Sequence, residues 1–348
     1  MELLQALYRI AAPSGNEKAM LRFLEERLKS ICGVRYDIDT MGNIYVVKGN
    51  AETYPCVVAH TDEVHRRPKT GYEVISVHDA IVLGYNSTLG TFSGIGADDK
   101  NGIWVALKCL EKYDVLKCAF FVQEERGCIG SYRADMDFFK DCRFVLQCDR
   151  KGNSDLIVSI NGMALCSKQF IKATEYKKFG YKRATGLISD VAALKQNGLG
   201  VSCVNISCGY YEPHTDREYT VIADLYKCLD FVQHIVETCT EVYTHVYKAP
   251  KQHRFAGVYD WGSFDDDLFE PHYIRRPVRS KPANNPQSGY CAMLERMTQM
   301  VDADPSLSLA ALAARLNREF PMMRYSDFSM AYSDIMGKQS LTPATERH

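Results

Sequence analysis

Apolar and polar positions alternate between two periods along residues 1–245. Met20, Leu21, Phe23, Leu24 and Leu28 recur at helical spacing and predict a helix over 1–31, with Ser14-Gly-Asn-Glu17 reading as a capping box. Residues 36–39 and 43–47 predict a strand pair that turns at Thr40-Met-Gly. Short, continuous apolar runs at 56–59, 119–122, 144–148 and 201–206 predict buried strands, and 71–85 reads as a hairpin. Helical spacing returns at 99–113, 189–197 and 221–239. This alternation predicts an α/β fold, a central sheet flanked by helices.

Beyond Val246 the pattern lapses. Residues 248–290 carry Pro250, Pro271, Pro277, Pro282 and Pro286, an acidic run at Asp265-Asp-Asp267 and a basic pair at Arg275-Arg276, and read as a linker or wrapping segment. Helical spacing resumes over 290–336 with Leu307, Leu309, Leu312 and Leu316. The expected division is a domain over 1–247 and a mostly helical extension over 248–348. Ser308 to Pro321 has a faint likeness to the start of a helix-turn-helix, but an amphipathic helix packing on the first domain or on a second subunit is the stronger reading.

Composition narrows the function. The 348 residues hold 42 Lys+Arg against 43 Asp+Glu, a net charge of -1, and 46% hydrophobic residues. That apolar fraction excludes a disordered chain, and the missing basic excess argues against a nucleic-acid partner. No apolar run approaches the roughly 18 residues of a membrane helix, and the start of the chain does not read as a signal peptide. The 13 cysteines include no C-x-x-C pair. Reduced, buried thiols and a cytoplasmic location are the expectation.

Five segments end in residue types that bind metals: Ala59-His60-Thr-Asp62-Glu63, Gly96-Ala-Asp98-Asp99-Lys100, Gln123-Glu124-Glu125-Arg-Gly127, Gln147-Cys-Asp149-Arg150 and Glu212-Pro-His214-Thr-Asp216. Each lies at or beyond an apolar run. A lone histidine there is ordinarily a polar loop residue, and adjacent acids ordinarily form a solvated face. Two acid pairs beside buried runs are harder to place, because a desolvated carboxylate needs a partner. Converging strand ends would gather two imidazoles and several carboxylates, a donor set suited to zinc and also to cobalt or manganese.

In this order the segments resemble the dinuclear zinc exopeptidase superfamily, which includes peptidase T, carboxypeptidase-like amidohydrolases, secreted bacterial leucyl aminopeptidases and tetrahedral aminopeptidases. The likeness covers residues 1–245. It implies a mixed, mostly parallel central sheet and two divalent metal ions. His60 and Asp149 would bind one metal, Glu125 and His214 the other, and Asp98 would bridge them. Asp62 would orient the His60 ring, Glu124 would be the general base toward a water bridging the metals, and the Asp98–Asp99 peptide would be cis. The implied activity is that of an exopeptidase acting on small peptides, an aminopeptidase or a di/tripeptidase, with self-association left open. Two other readings stay open: an N-acyl amino acid deacylase, and a non-catalytic binding protein on a peptidase scaffold.

Departures from relatives predict a minimal catalytic domain. Asp149 and His214 are 65 positions apart, too few for the core plus a large lid domain. Asp62 and Asp98 are 36 apart, room for a hairpin only. Arg150 and Lys151 could hold a substrate carboxylate, or Arg150 could balance a ligand acid. Ser189 reads as a helix N-cap, and Tyr210 as a pocket residue or a packing one. Glu63 and Asp99 are weak candidates for the acid that an aminopeptidase sets against the substrate's amino group. His65, His78, His234 and His245 read as structural or solvated.

Overall fold

The computed structural model describes residues 1–67, 70–247 and 296–304, with Leu312, Arg315, Leu316 and Glu319. The chain divides into two units, Met1–Arg254 and Phe255–His348. In the second, residues 296–303 are helical and Met297, Val301, Leu312 and Leu316 are buried. The linker expected at 248–290, Leu307, Leu309 and most of the expected C-terminal helices lie outside the described residues.

The first unit opens with two helices, α1 (Glu2–Arg9) and α2 (Lys18–Lys29), followed by β1 (Val34–Ile38), β2 (Ile44–Lys48) and β3 (Tyr54–His60). Next come β4 (Tyr72–Val77), β5 (Ile81–Asn86), β6 (Thr91–Ser93), α3 (Ala97–Lys112) and β7 (Leu116–Phe121). After these follow α4 (Ile129–Tyr132), β8 (Cys142–Arg150), β9 (Asp155–Ile160), β10 (Met163–Ala164), α5 (Lys168–Ala173) and β11 (Lys182–Gly186). The unit closes with α6 (Asp190–Gln196), β12 (Cys203–Ser207), β13 (Tyr210–Tyr211), β14 (Tyr219–Val221) and α7 (Ile222–Thr238).

A nine-stranded mixed sheet runs β1-β2-β7-β3-β8-β12-β9-β10, with β11 beside β9. Its centre is parallel: β3 pairs with β7 and β8, and β8 with β12. Strand periodicity sorts the side chains of these fully buried strands into two cores. Val57, Ala59, Cys118, Phe120, Phe144 and Leu146 join the core with residues of α1, α2, α3 and α7. Cys56, Val58, Ala119, Phe121 and Val145 join the core with Val191, Ala192 and Leu194 of α6. Every residue of β3 and β7 is buried, which is why each holds a continuous apolar run, 56–59 in β3 and 118–121 in β7.

Three expectations need correction. The helix over 1–31 is two helices, because Ala12 and Pro13 run extended beside Glu63: Glu63 donates its N–H to Ala12 O at 2.9 Å, and Pro13 forms a parallel bridge with Glu63. The capping box does not form. Ser14 spends its hydroxyl on Asp62 Oδ2 at 2.7 Å, and Glu17 accepts from Gly15 N–H at 2.7 Å instead. The insert between Asp62 and Asp98 is more than a hairpin, since β4, β5 and β6 join β13 and β14 in a second, five-stranded sheet. Among the described residues no helix is long and apolar enough to cross a membrane.

Candidate metal centre

The five segments meet beyond the carboxyl ends of the parallel strands, where open α/β sheets place their ligands. His60 ends β3, Asp149 lies near the end of β8, and Glu124 and Glu125 follow β7 in a 3-10 turn. Asp98 stands where α3 begins, and its φ/ψ and those of Asp99 are not helical. The Asp98–Asp99 peptide is cis, as the resemblance implied. His214 lies in the loop between β13 and β14. Gln123, Cys128, Glu212 and His214 all have positive φ, a conformation that costs a non-glycine residue of order 1 kcal/mol and clusters at functional sites.

Asp98 lies between the two histidines. Its Oδ1 is 3.0 Å from His60 Nε2 and its Oδ2 is 3.3 Å from His214 Nε2. Asp149 Oδ1 is 3.7 Å from His60 Nε2, and Glu125 Oε1 is 3.0 Å from His214 Nε2. Two sets of potential ligand atoms each fall within 4.8 Å of one another: His60, Asp99 and Asp149, and His60, Asp98 and Glu125. His214 belongs to neither set but touches Asp98 and Glu125. Asp99 is committed to the main chain, accepting from His60 N–H at 3.2 Å and Gly102 N–H at 2.9 Å.

The second ring nitrogen of His60 is held by the main chain. Nδ1 is 3.0 Å from the main-chain carbonyl of Asp62, with the Asp62 carboxylate at 3.4 Å. A carbonyl only accepts, so Nδ1 carries a proton, and Nε2 faces Asp98 and Asp149 either with a second proton, which these acids favour against burial, or with a lone pair for a cation. Either way a proton or a cation lies between them.

The charge balance says the same. Although burial opposes ionisation, His214 and His60 hold Asp98 well below the usual carboxylate range. Burial and the charge of Asp98 push Asp149 well above it. Burial raises Glu125 too, with His214 opposing. Burial, together with the charges of Asp190, Glu125 and Asp98 and against His60, pushes Glu124 up to about 8. Glu125 Oε1 is buried, with His214 Nε2 at 3.0 Å as its partner among the described residues. Crowded, desolvated carboxylates and two imidazole Nε2 atoms turned toward the same space fit divalent cations.

Outer partners hold these groups. Asp62 accepts from the main-chain N–H of Glu124 at 2.9 Å, of Glu125 at 3.2 Å, and from Ser14. Cys128 Sγ donates to Glu124 Oε1 at 3.3 Å. Tyr210 donates toward Asp98 Oδ2 and Asp149 Oδ1 at 3.2 and 3.3 Å. Ser189 begins α6 without a capping hydrogen bond; its hydroxyl donates to Gln147 Oε1 at 2.6 Å, and Asp190 accepts from Ser131 Oγ at 2.6 Å and Gln147 Nε2 at 3.0 Å. Arg150 pairs with Asp155 at 3.2 Å and not with a ligand acid. His65 is 2.9 Å from Glu218 Oε2, which also accepts from Gly96 N–H at 2.6 Å, while Glu218 Oε1 accepts from Asp98 N–H at 3.2 Å. Glu218 was not singled out from the sequence, where an acid in the loop after His214 carries no signal.

Beside these groups lies a cavity of about 420 Å³, whose lining includes Asp98, Glu124, Asp149 and His214 and the apolar Ile157, Ile160, Leu187 and Ile188. Leu187 and Ile188 are 62% and 66% exposed. Apolar side chains left in water at the mouth of a polar centre suit an apolar ligand group.

No family model matches the sequence, and no curated protein matches it. Solved structures do match the fold. The aminopeptidase PepT from Bacillus cereus superposes with a TM-score of 0.56 at 14% identity, over 69% of this chain and 98% of that one. A tripeptidase from Staphylococcus aureus gives 0.55 at 14% identity, over 68% and 97%. The TET1 peptidase of Pyrococcus horikoshii, which can assemble into a tetrahedron or a large octahedral shell, gives 0.52 at 14% identity, over 68% and 98%. The fold of this chain is the one these peptidases share, the mixed, mostly parallel sheet flanked by helices that the resemblance of its five segments implied.

Proposed function

We propose that the protein is a metal-dependent exopeptidase that removes residues from short peptides, as an aminopeptidase or a di/tripeptidase. The observation that carries this reading is Asp98, whose two oxygens face two different histidines in a buried cluster of carboxylates, on a fold shared with aminopeptidases and a tripeptidase. His60 and Asp149 would hold one divalent cation, zinc, cobalt or manganese, and Glu125 and His214 a second, with Asp98 common to both. Bound there, the cations supply the positive charge that polarises the scissile carbonyl and makes water a stronger acid.

The remaining work belongs to the chain. Glu124 is buried at the cavity wall, and its main chain is tied to Asp62, so its carboxylate is placed to take the proton of the attacking water and return it to the leaving amine. The amide C–N bond breaks, the acyl carbon gains the hydroxyl, and the amine leaves with the proton. Tyr210 fixes the orientation of Asp98 and Asp149. The apolar wall of Ile157, Ile160, Leu187 and Ile188 holds the side chain beside the scissile bond and excludes water.

One observation favours a second reading. Neither Glu63 nor Asp99 is free to hold a substrate ammonium, because both are committed inside the protein. Deacylation of an N-acyl amino acid needs no such acid. The twelve described cysteines are free thiols, which supports work in a reducing compartment such as the cytoplasm. Self-association, as in the TET1 peptidase, is part of the proposal and is read by light scattering.

The experiment incubates zinc-, cobalt- or manganese-loaded protein with short peptides bearing free or acetylated N-termini and follows products by mass spectrometry. Stepwise loss of N-terminal residues from the free set, with about two ions per chain in native spectra, is the expected result. Release of acetate alone moves the function to deacylation, and no bound metal overturns both readings.

A further inference from the structure

A second cavity, of about 760 Å³, meets the candidate metal centre at Glu125. Its other walls include Ser14, Gly15, Glu63, Arg66, Arg67 and Arg126. Most of these charges are already committed. Glu63 accepts from Ala12 N–H with Oε1 at 2.9 Å, and from Arg67 Nη2 and Lys100 Nζ with Oε2 at 2.6 and 2.8 Å. Arg67 also donates to the carbonyls of Tyr8, Ile10 and Ile95, and its guanidinium lies 4.4 Å from the Tyr72 ring centroid.

Two cations remain. Arg66 is exposed and has no partner among the described residues. Arg126 makes one long contact, 3.4 Å to Gln123 Oε1. Arg126 lies over the turn at Gly15, where φ is +85° and a Cβ would stand 2.9 Å from its Nη1. Glycine there keeps the guanidinium in the cavity and not folded away from it. Among the described residues the carboxylates lining this cavity are Glu63, held by Arg67 and Lys100, and Glu125, which faces His214. A cavity so charged repels an ammonium and attracts a carboxylate, which a guanidinium binds in a two-pronged geometry.

We propose that this cavity binds the carboxylate of the leaving half of a short peptide, with Arg66 and Arg126 as the residues that recognise it. The proposal rests on the exopeptidase reading and adds a substrate class: small peptides with a free C-terminus, whose first residue is apolar and lies against Ile157, Ile160, Leu187 and Ile188. A carboxylate in this place could come from the peptide's C-terminus or from an acidic side chain, and the test separates the two.

The test compares Leu-Gly-Gly as the free acid, as the C-terminal amide, and Leu-Gly-Asp as the amide, on the metal-loaded full chain. The free acid is expected to exceed its amide by about tenfold in kcat/KM, mainly through KM. The double variant Arg66→Ala/Arg126→Ala brings that ratio close to one, and Arg66→Lys/Arg126→Lys keeps part of it. Leu-Gly-Asp amide should behave as the other amide; if it matches the free acid, the cavity takes a side-chain carboxylate equally well and the free C-terminus as a substrate class is overturned. Equal kcat/KM for free acid and amide in the wild type overturns the proposal while leaving the exopeptidase reading intact. If no peptide is hydrolysed, that reading fails, and calorimetric binding of the same free acid and amide still decides the cavity: tighter binding of the acid, lost in the double Ala variant, upholds it, and equal binding ends it.

Discussion

The two oxygens of Asp62 accept the main-chain N–H groups of Glu124 and Glu125, at 2.9 and 3.2 Å. One buried carboxylate thereby fixes the turn that carries both the proposed base and a proposed metal ligand, while the carbonyl of the same residue fixes the His60 ring. The Asp62→Asn variant would set an amide NH₂ against one of those N–H groups. The expected result is a folded protein with a loss of 10- to 100-fold in activity or metal affinity, the range for groups that orient metal ligands. Unchanged metal titration and unchanged kcat would show that the turn holds itself.

Glu124 and Glu125 are neighbours with different surroundings. Glu125 faces His214 at 3.0 Å, whereas among the described residues Glu124 accepts from Cys128 Sγ, stands 4.0 Å from His60 Nε2 and lines the cavity. Glu124→Gln should therefore keep about two ions per chain and lose at least ~100-fold in kcat, the usual size of a general-base contribution. Metal loss in that variant, measured by native mass spectrometry, would exchange the two roles.

Glu218 holds the turn before α3 from one side and Glu63 from the other. Gly96 has φ +62°, and a Cβ there would fall 1.8 Å from Glu63 Oε2. Glu218→Ala leaves the buried N–H groups of Gly96 and Asp98 without an acceptor. At about 1–3 kcal/mol for an unsatisfied buried group, the expected loss of stability is roughly 2–4 kcal/mol in urea denaturation. Metal affinity should fall with it, because Asp98 loses its anchor. A loss below about 0.5 kcal/mol would mean that the turn is not held by Glu218.

His245 does not line the candidate site, and its titration should register in the stability of the fold. Burial, with Lys195 nearby, lowers its ring from the usual 6.5 to about 4. Its Nδ1 is buried without a hydrogen-bond partner. The unfolded chain binds this proton below about pH 6.5 and the folded chain only below about 4, so stability contributed at neutral pH is lost as pH falls through that window. The ring is partly exposed, and screening reduces the effect to about 1 kcal/mol. Denaturation midpoints measured from pH 7 to 4 should fall less steeply in His245→Gln than in the wild type; parallel curves would remove His245 from the account.

The sequence by itself determined the pieces. Apolar runs announced β3, β7, β8 and β12, because strands buried on both faces carry few polar residues. The five acid- and histidine-bearing segments announced the proposed ligands, because only a partner or a cation makes such residues tolerable beside buried strands. β9 and β11 were not legible, since edge-side strands with mixed polarity lack both the continuous run and the clean alternation. What tertiary structure alone decided is how those pieces are tied together. Ser14 reaches Asp62 across 48 positions in place of capping a helix, and Glu218 reaches Asp98 across 120. The same holds for the commitment of Glu63 to Arg67 and Lys100, which leaves Arg66 and Arg126 as the open charges of the second cavity. Hydrogen bonds between distant residues have no period in the sequence; they exist only once the sheet has brought their ends together.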